Sequence, residues 1–111
     1  MSKSMKRSLK TAQVGMRQLN VRVSAAGAFS GFDGKQISSD SVKNGAGDHT
    51  IVLKKPFNVD NANLPMIKVT PLAAGVTYYL ASSAHDRVNV VLSADVDFDI
   101  EIIGCDHRFN Y

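Results

Sequence analysis

Few side chains in this sequence could do chemistry. The histidines are His49, His85 and His107, the lone cysteine is Cys105, and Asp86 and Asp106 lie beside two of them. Cys105 and His107 would share a side if an extended strand reached that far, but no Cys-x-x-Cys or His-Glu-x-x-His spacing supports a zinc centre. A single cysteine excludes an intrachain disulfide and a cysteine-rich metal site. The sequence therefore predicts no metal and no cofactor. His49 and His85 lie beside turns and strand ends, where solvated imidazoles are expected. Cys105, after Ile102-Ile103-Gly104, reads as a small residue closing a core strand. Ser82, Ser83, His85 and Asp86 could be drawn as a nucleophilic triad. Such groups must converge in a pocket, however, and no Gly-x-Ser-x-Gly elbow is present. This stretch reads as a hairpin tip, and the chain is expected not to be an enzyme.

Two charge patterns remain. Asp97, Asp99 and Glu101 alternate with apolar residues, which places like charges about 6.8 Å apart on one strand face. That is too wide for a shared-proton dyad, and calcium would need converging loop oxygens. A solvated face that discourages edge pairing is expected, with a contact to a basic neighbouring arm as the interactive alternative. The second pattern is a boundary in net charge. Met1 to Phe32 holds six basic residues and no acid, whereas Asp33 to Tyr111 holds seven basic and ten acidic residues. Basic segments bind phosphate by releasing counterions, yet no aromatic precedes Phe29 to stack on bases. Protein docking is the preferred reading, through Lys3, Met5, Lys6, Arg7, Leu9, Lys10, Met16 and Arg17. A small nucleic-acid-binding β-barrel is the alternative.

The elements that must carry these groups are short. Met5, Leu9, Ala12, Met16 and Leu19 recur at helical spacing, but Gly15 interrupts them, so a helical and an extended arm both stay open. Leu19, Val21 and Val23 alternate with polar residues and predict a first strand. Ala26 to Gly34 reads as a loop or short irregular strand. Further strands are predicted at 37–42, 49–53, 66–70, 76–81, 88–92 and 96–102, separated by Gly-, Pro- and Asn-rich turns. The last is clearest, with Val96, Phe98, Ile100 and Ile102 on one face. Connections too short for helical crossovers exclude a parallel α/β fold. The expected fold is all-β: an antiparallel sandwich, jelly-roll-like or similar, over 20–111, with an N-terminal arm over 1–19. With 111 residues, 44% hydrophobic and 21% charged, the composition fits one ordered domain. No apolar run approaches the roughly 20 residues of a membrane helix, and the N-terminus lacks the apolar stretch of a secretory signal.

The segment DSVKNGAGDHTIVLKKPF, from Asp40 to Phe57, resembles modules of tailed-bacteriophage virion proteins. The resemblance rests on Ser41, Val42, Gly45, Gly47, Thr50, Ile51, Leu53, Pro56 and Phe57. It continues in order through 67–71, 88–90 and 97–104. It implies a compact antiparallel sandwich, commonly homotrimeric, on a capsid or at a fibre tip. Because no repetitive shaft or heptad stalk is present, it implies a small capsid decoration, cement or head-fibre protein rather than a long fibre. Its expected place is the virion, assembled in the host cytoplasm, with the arm on a major capsid or other structural protein. A receptor-binding tail tip, touching host glycan or protein through 72–75 and 82–86, is the alternative. Phe29, Phe32, Tyr78 and Tyr79 are the candidate interface aromatics.

Overall fold

Alternation of apolar and polar residues with period two makes every strand two-faced, and two such sheets bury their apolar faces against each other. The computed structural model of the chain describes residues 15–58 and 63–106. Eight strands run in order: β1 (Arg17–Val23), β2 (Phe29–Ser30), β3 (Val42–Gly45), β4 (Asp48–Val52), β5 (Met66–Pro71), β6 (Tyr78–Ser83), β7 (Arg87–Leu92) and β8 (Phe98–Gly104). One 3₁₀ turn, Gly34–Gln36, follows β2. The strands form two four-stranded antiparallel sheets, ordered β2-β1-β8-β5 and β3-β4-β7-β6. The fold is an all-β sandwich, as the alternation predicts.

The core is where the two alternations meet. Leu19, Val21 and Val23 of β1, Val69 of β5, and Phe98, Ile100 and Ile102 of β8 face Ile51 of β4 and Val88, Val90 and Leu92 of β7. Each such side chain contributes about 1.5–3 kcal/mol by leaving water. Phe57, just after β4, is 1% exposed and caps one end, in contact distance of Gly104. The β3–β4 hairpin turns at Gly47, where φ is +72° and a Cβ would stand 2.6 Å from the Leu92 carbonyl oxygen. Both features require glycine there.

Three of the expected elements have different limits in the structure. The first strand begins at Arg17, so Arg17 to Leu19 belong to the sheet and not to the arm; Leu19 is 3% exposed. The strand predicted at 37–42 is reduced to an Ile37–Leu53 bridge before β3 starts at Val42. The Val52 amide donates to Ser41 Oγ at 2.8 Å, and that hydroxyl donates back to the Val52 carbonyl at 3.3 Å. A side chain thus replaces the ladder and lets 38–41 leave the sheet. The strand predicted at 76–81 lies at Tyr78–Ser83, with an irregular register between Leu80 and Ser82. The hairpin tip is correspondingly Ala84 to Asp86.

Candidate functional site

Two surfaces stand out, one on each sheet. β2 lies on the β3 side of the sandwich, where Gly27 approaches Lys43. β5 and β6 close the other side, with Ile67 and Ala84 lining one small internal space.

The first surface is β6, the edge of its sheet. Register against Val88, Val90 and Leu92 turns Tyr78, Leu80 and Ser83 toward the sandwich interior, and Tyr79 lies beside Val91 on the outer face. None of them is buried. Tyr78, Tyr79 and Leu80 are 38, 62 and 36% exposed, and Leu72 in the preceding loop is 43% exposed. From Val69 to Ala84 the sequence carries no charged residue. Sheet edges ordinarily carry charge, proline or a cover. β6 has only its irregular register and otherwise offers apolar groups and ladder hydrogen-bonding groups together.

The second surface is the outer face of the β2-β1-β8-β5 sheet. Here a groove of about 680 Å³ is lined by Asn20, Arg22, Ser30, Phe32, Lys68, Thr70, Asp99 and Glu101, among others. Arg22 grips Asp99 with two hydrogen bonds, Nε to Oδ1 at 2.7 Å and Nη2 to Oδ2 at 3.0 Å. The guanidinium holds the Asp99 carboxyl below its ordinary pKa. Gln18 donates to Glu101 at 3.0 Å, and the Ala25 amide donates to Asp97 at 2.7 Å. The three acids of the alternating pattern thus each accept a hydrogen bond from their own chain. Phe32 stands at the groove, 97% exposed.

The predicted site residues fall in different places. Lys3, Met5, Lys6, Arg7, Leu9 and Lys10, and with them most of the helical-or-extended arm, lie outside the described residues. Met16 is 64% exposed. Arg17, predicted as a docking cation, is turned onto its own chain. Its Nη2 donates to the Lys55 carbonyl at 2.8 Å, its Nη1 to the Pro56 carbonyl at 3.3 Å, and its guanidinium lies 4.6 Å from the Phe57 ring centre. Burial of Phe57 draws the cation in, because a guanidinium stacks on an aromatic face while satisfying carbonyls. Of the four aromatics, Phe29 packs against the core. Phe32 is on the groove flank and Tyr78 and Tyr79 are on the β6 flank, so the set does not form one patch.

His49 corrects an expectation. It is 2% exposed rather than solvated, its ring meets Phe98 edge-on at 5.1 Å, and its Nε2 is buried with no hydrogen-bond partner. Burial, with a smaller effect of Lys43, pushes its pKa below the ordinary value. The signal was present in the sequence: His49, Ile51 and Leu53 share one face at period two.

Asp86 accepts from its neighbour Arg87, whose Nη2 donates at 3.1 Å. Among the described residues no three of His, Cys, Asp and Glu gather as metal ligands; His107 lies outside them. Arg17, Arg22, Lys43, Lys55 and Arg87 all have carboxylate partners. Comparison with family models, with curated proteins and with solved structures returns no match.

Proposed function

We propose that this chain is a non-enzymatic structural subunit that assembles with copies of itself through the β6 flank. The observation that carries the reading is the uncharged β6 edge, with Tyr78, Tyr79 and Leu80 all open to solvent. Burying these residues between subunits would remove apolar surface from water. Tyrosine-rich, charge-depleted patches are also the usual composition of interface centres. A small single-core domain gains stability from such association.

The resemblance to phage virion modules extends the proposal: a homotrimeric capsid decoration, cement or head-fibre protein of a tailed phage, tethered by its basic N-terminal stretch to a capsid or other structural protein. Light scattering and sedimentation of the full chain test the assembly. Three-fold mass is expected for the natural chain and monomer mass for Leu80→Lys. A monomer at every concentration, or an unchanged oligomer in Leu80→Lys, overturns assembly through β6. Removing residues 1–14, which stops short of β1, is expected to keep the oligomer and abolish attachment to particles. Full occupancy by the truncated chain overturns the tether.

A further inference from the structure

We infer that the groove on the outer face of the β2-β1-β8-β5 sheet binds a neutral oligosaccharide. This goes beyond the assembly proposed above, since it concerns the outer face of the other sheet and none of the β6 residues. The first ground is a fixed aromatic. Phe32 is 97% exposed, yet the backbone on either side of it is clamped. Gly31 has φ of +87°, and a Cβ there would stand 3.3 Å from the Arg22 amide nitrogen, so the loop lies directly on β1. On the other side, the Asp33 amide donates to the Asn20 carbonyl at 3.0 Å, and the Asn20 amide donates to Asp33 Oδ2 at 2.8 Å. A large apolar ring presented to water on an anchored loop has no packing role inside the chain. Pyranose rings offer an apolar C–H face that stacks on such a ring.

The second ground is the chemistry of the floor. Asn20, Arg22, Thr70, Asp99 and Glu101 are hydrogen-bonding side chains of the kind that recognise vicinal hydroxyls, each able to donate, accept or both. They project from β1, β5 and β8, hydrogen-bonded neighbours in one sheet, so a ligand would meet preorganised groups. The groove volume, about 680 Å³, lies within the common range of about 300–1,000 Å³ for small-molecule sites.

The third ground is charge. The groove sets Arg22 and Lys68 against Asp99 and Glu101, which cancel. A lining with no net charge gives no preference for phosphate, a polyanion or a basic arm, and suits an uncharged polyhydroxylated ligand.

The test is an amide NMR titration of the isotope-labelled full chain with neutral oligosaccharides of glucose, galactose, mannose and N-acetylglucosamine, with a sulfated oligosaccharide as the anionic probe. Saturable shifts at Asn20, Arg22, Gly31, Phe32 and Asp99 are expected with at least one neutral probe. Phe32→Ala should weaken binding about tenfold, the scale of one lost aromatic contact, with an unchanged melting temperature because the ring is solvated. Tyr79→Lys should leave sugar affinity unaltered. The inference is overturned if no neutral probe gives saturable shifts there, if only the sulfated probe does, or if Phe32→Ala binds as well as the natural chain. It is also overturned if deleting residues 1–14 shifts these amides in the absence of sugar, since the groove would then hold that segment.

Discussion

The outer face of the first sheet and the β6 flank of the second are both open to water, but they answer the exposure in opposite ways. On the first sheet the charges find partners within the chain: Arg22 with Asp99, Gln18 with Glu101, the Ala25 amide with Asp97. On the β6 flank there is no charge to pair, and Tyr78, Tyr79 and Leu80 meet solvent directly. Polar groups satisfied at short range leave a surface that needs no second subunit. Apolar groups beside an open ladder do not, because burying them requires another surface. Two exposed faces of one sandwich thus differ in whether burial against another subunit is called for.

The most severe way to break this contrast is to open the core beneath both surfaces. Phe98 is fully buried, opposite Val23 in the β1–β8 ladder and against the His49 ring. Phe98→Ala is expected to cost about 3–5 kcal/mol in urea unfolding and to abolish association and groove alike. If one surface outlived the unfolding transition, the sandwich would not be the common support of both.

Acid offers a smaller perturbation with a defined sign. His49 is held below its ordinary pKa of 6.5 by burial, so below pH 6.5 the unfolded chain binds a proton that the folded chain resists. Stability is therefore full above pH 6.5 and falls as the pH drops below it, by at most about 1.4 kcal/mol per pH unit for one group. Denaturant titrations from pH 7.5 to 5 check this. His49→Leu is expected to flatten the slope, and equal slopes in the two proteins would place the sensitivity elsewhere. The carboxylates contribute in a lower window. Asp99, Asp95, Asp86 and Asp48 sit below their ordinary 3.8, so what they contribute is present above that value and lost as the pH falls through their depressed ones.

The gentlest test uses salt. Association through an uncharged edge should be nearly indifferent to ionic strength, whereas the exposed Arg22–Asp99 pair is screened. Sedimentation at low and high salt should give the same association constant. A steep loss with salt would mean that charge, and not the Tyr78–Leu80 strip, joins the subunits. Arg22→Ala should let the Asp99 carboxyl return toward 3.8, visible in a carboxyl-carbon NMR titration, and leave the oligomer intact.

Much of the fold was legible in the residues because backbone pleating converts alternation into faces without help from the rest of the chain. The 98–102 run is the simplest case: Phe98, Ile100 and Ile102 are buried, and Asp99 and Glu101 lie on the groove side. Strand ends were less legible, since they depend on distant partners. Ser41 ends pairing by bonding to Val52, and β6 takes its limits from β7. The environment of His49 was written in its period with Ile51 and Leu53, but proximity to a turn was the weaker guide to burial. The candidate interface aromatics share a residue type, and type carries no address. Only the packing of the two sheets separates Phe29 against the core from Phe32 over a groove and from Tyr79 on an edge.

By itself, then, the sequence determined a two-faced, all-β chain with an acid-free N-terminal stretch and no catalytic signature, because period and charge are local properties. The tertiary structure decided which strand became an uncovered edge, which charges cancelled across β1, β5 and β8, and that Arg17 turns onto Lys55, Pro56 and Phe57 of its own chain. Those outcomes depend on residues tens of positions apart meeting in space, and no local pattern records that meeting.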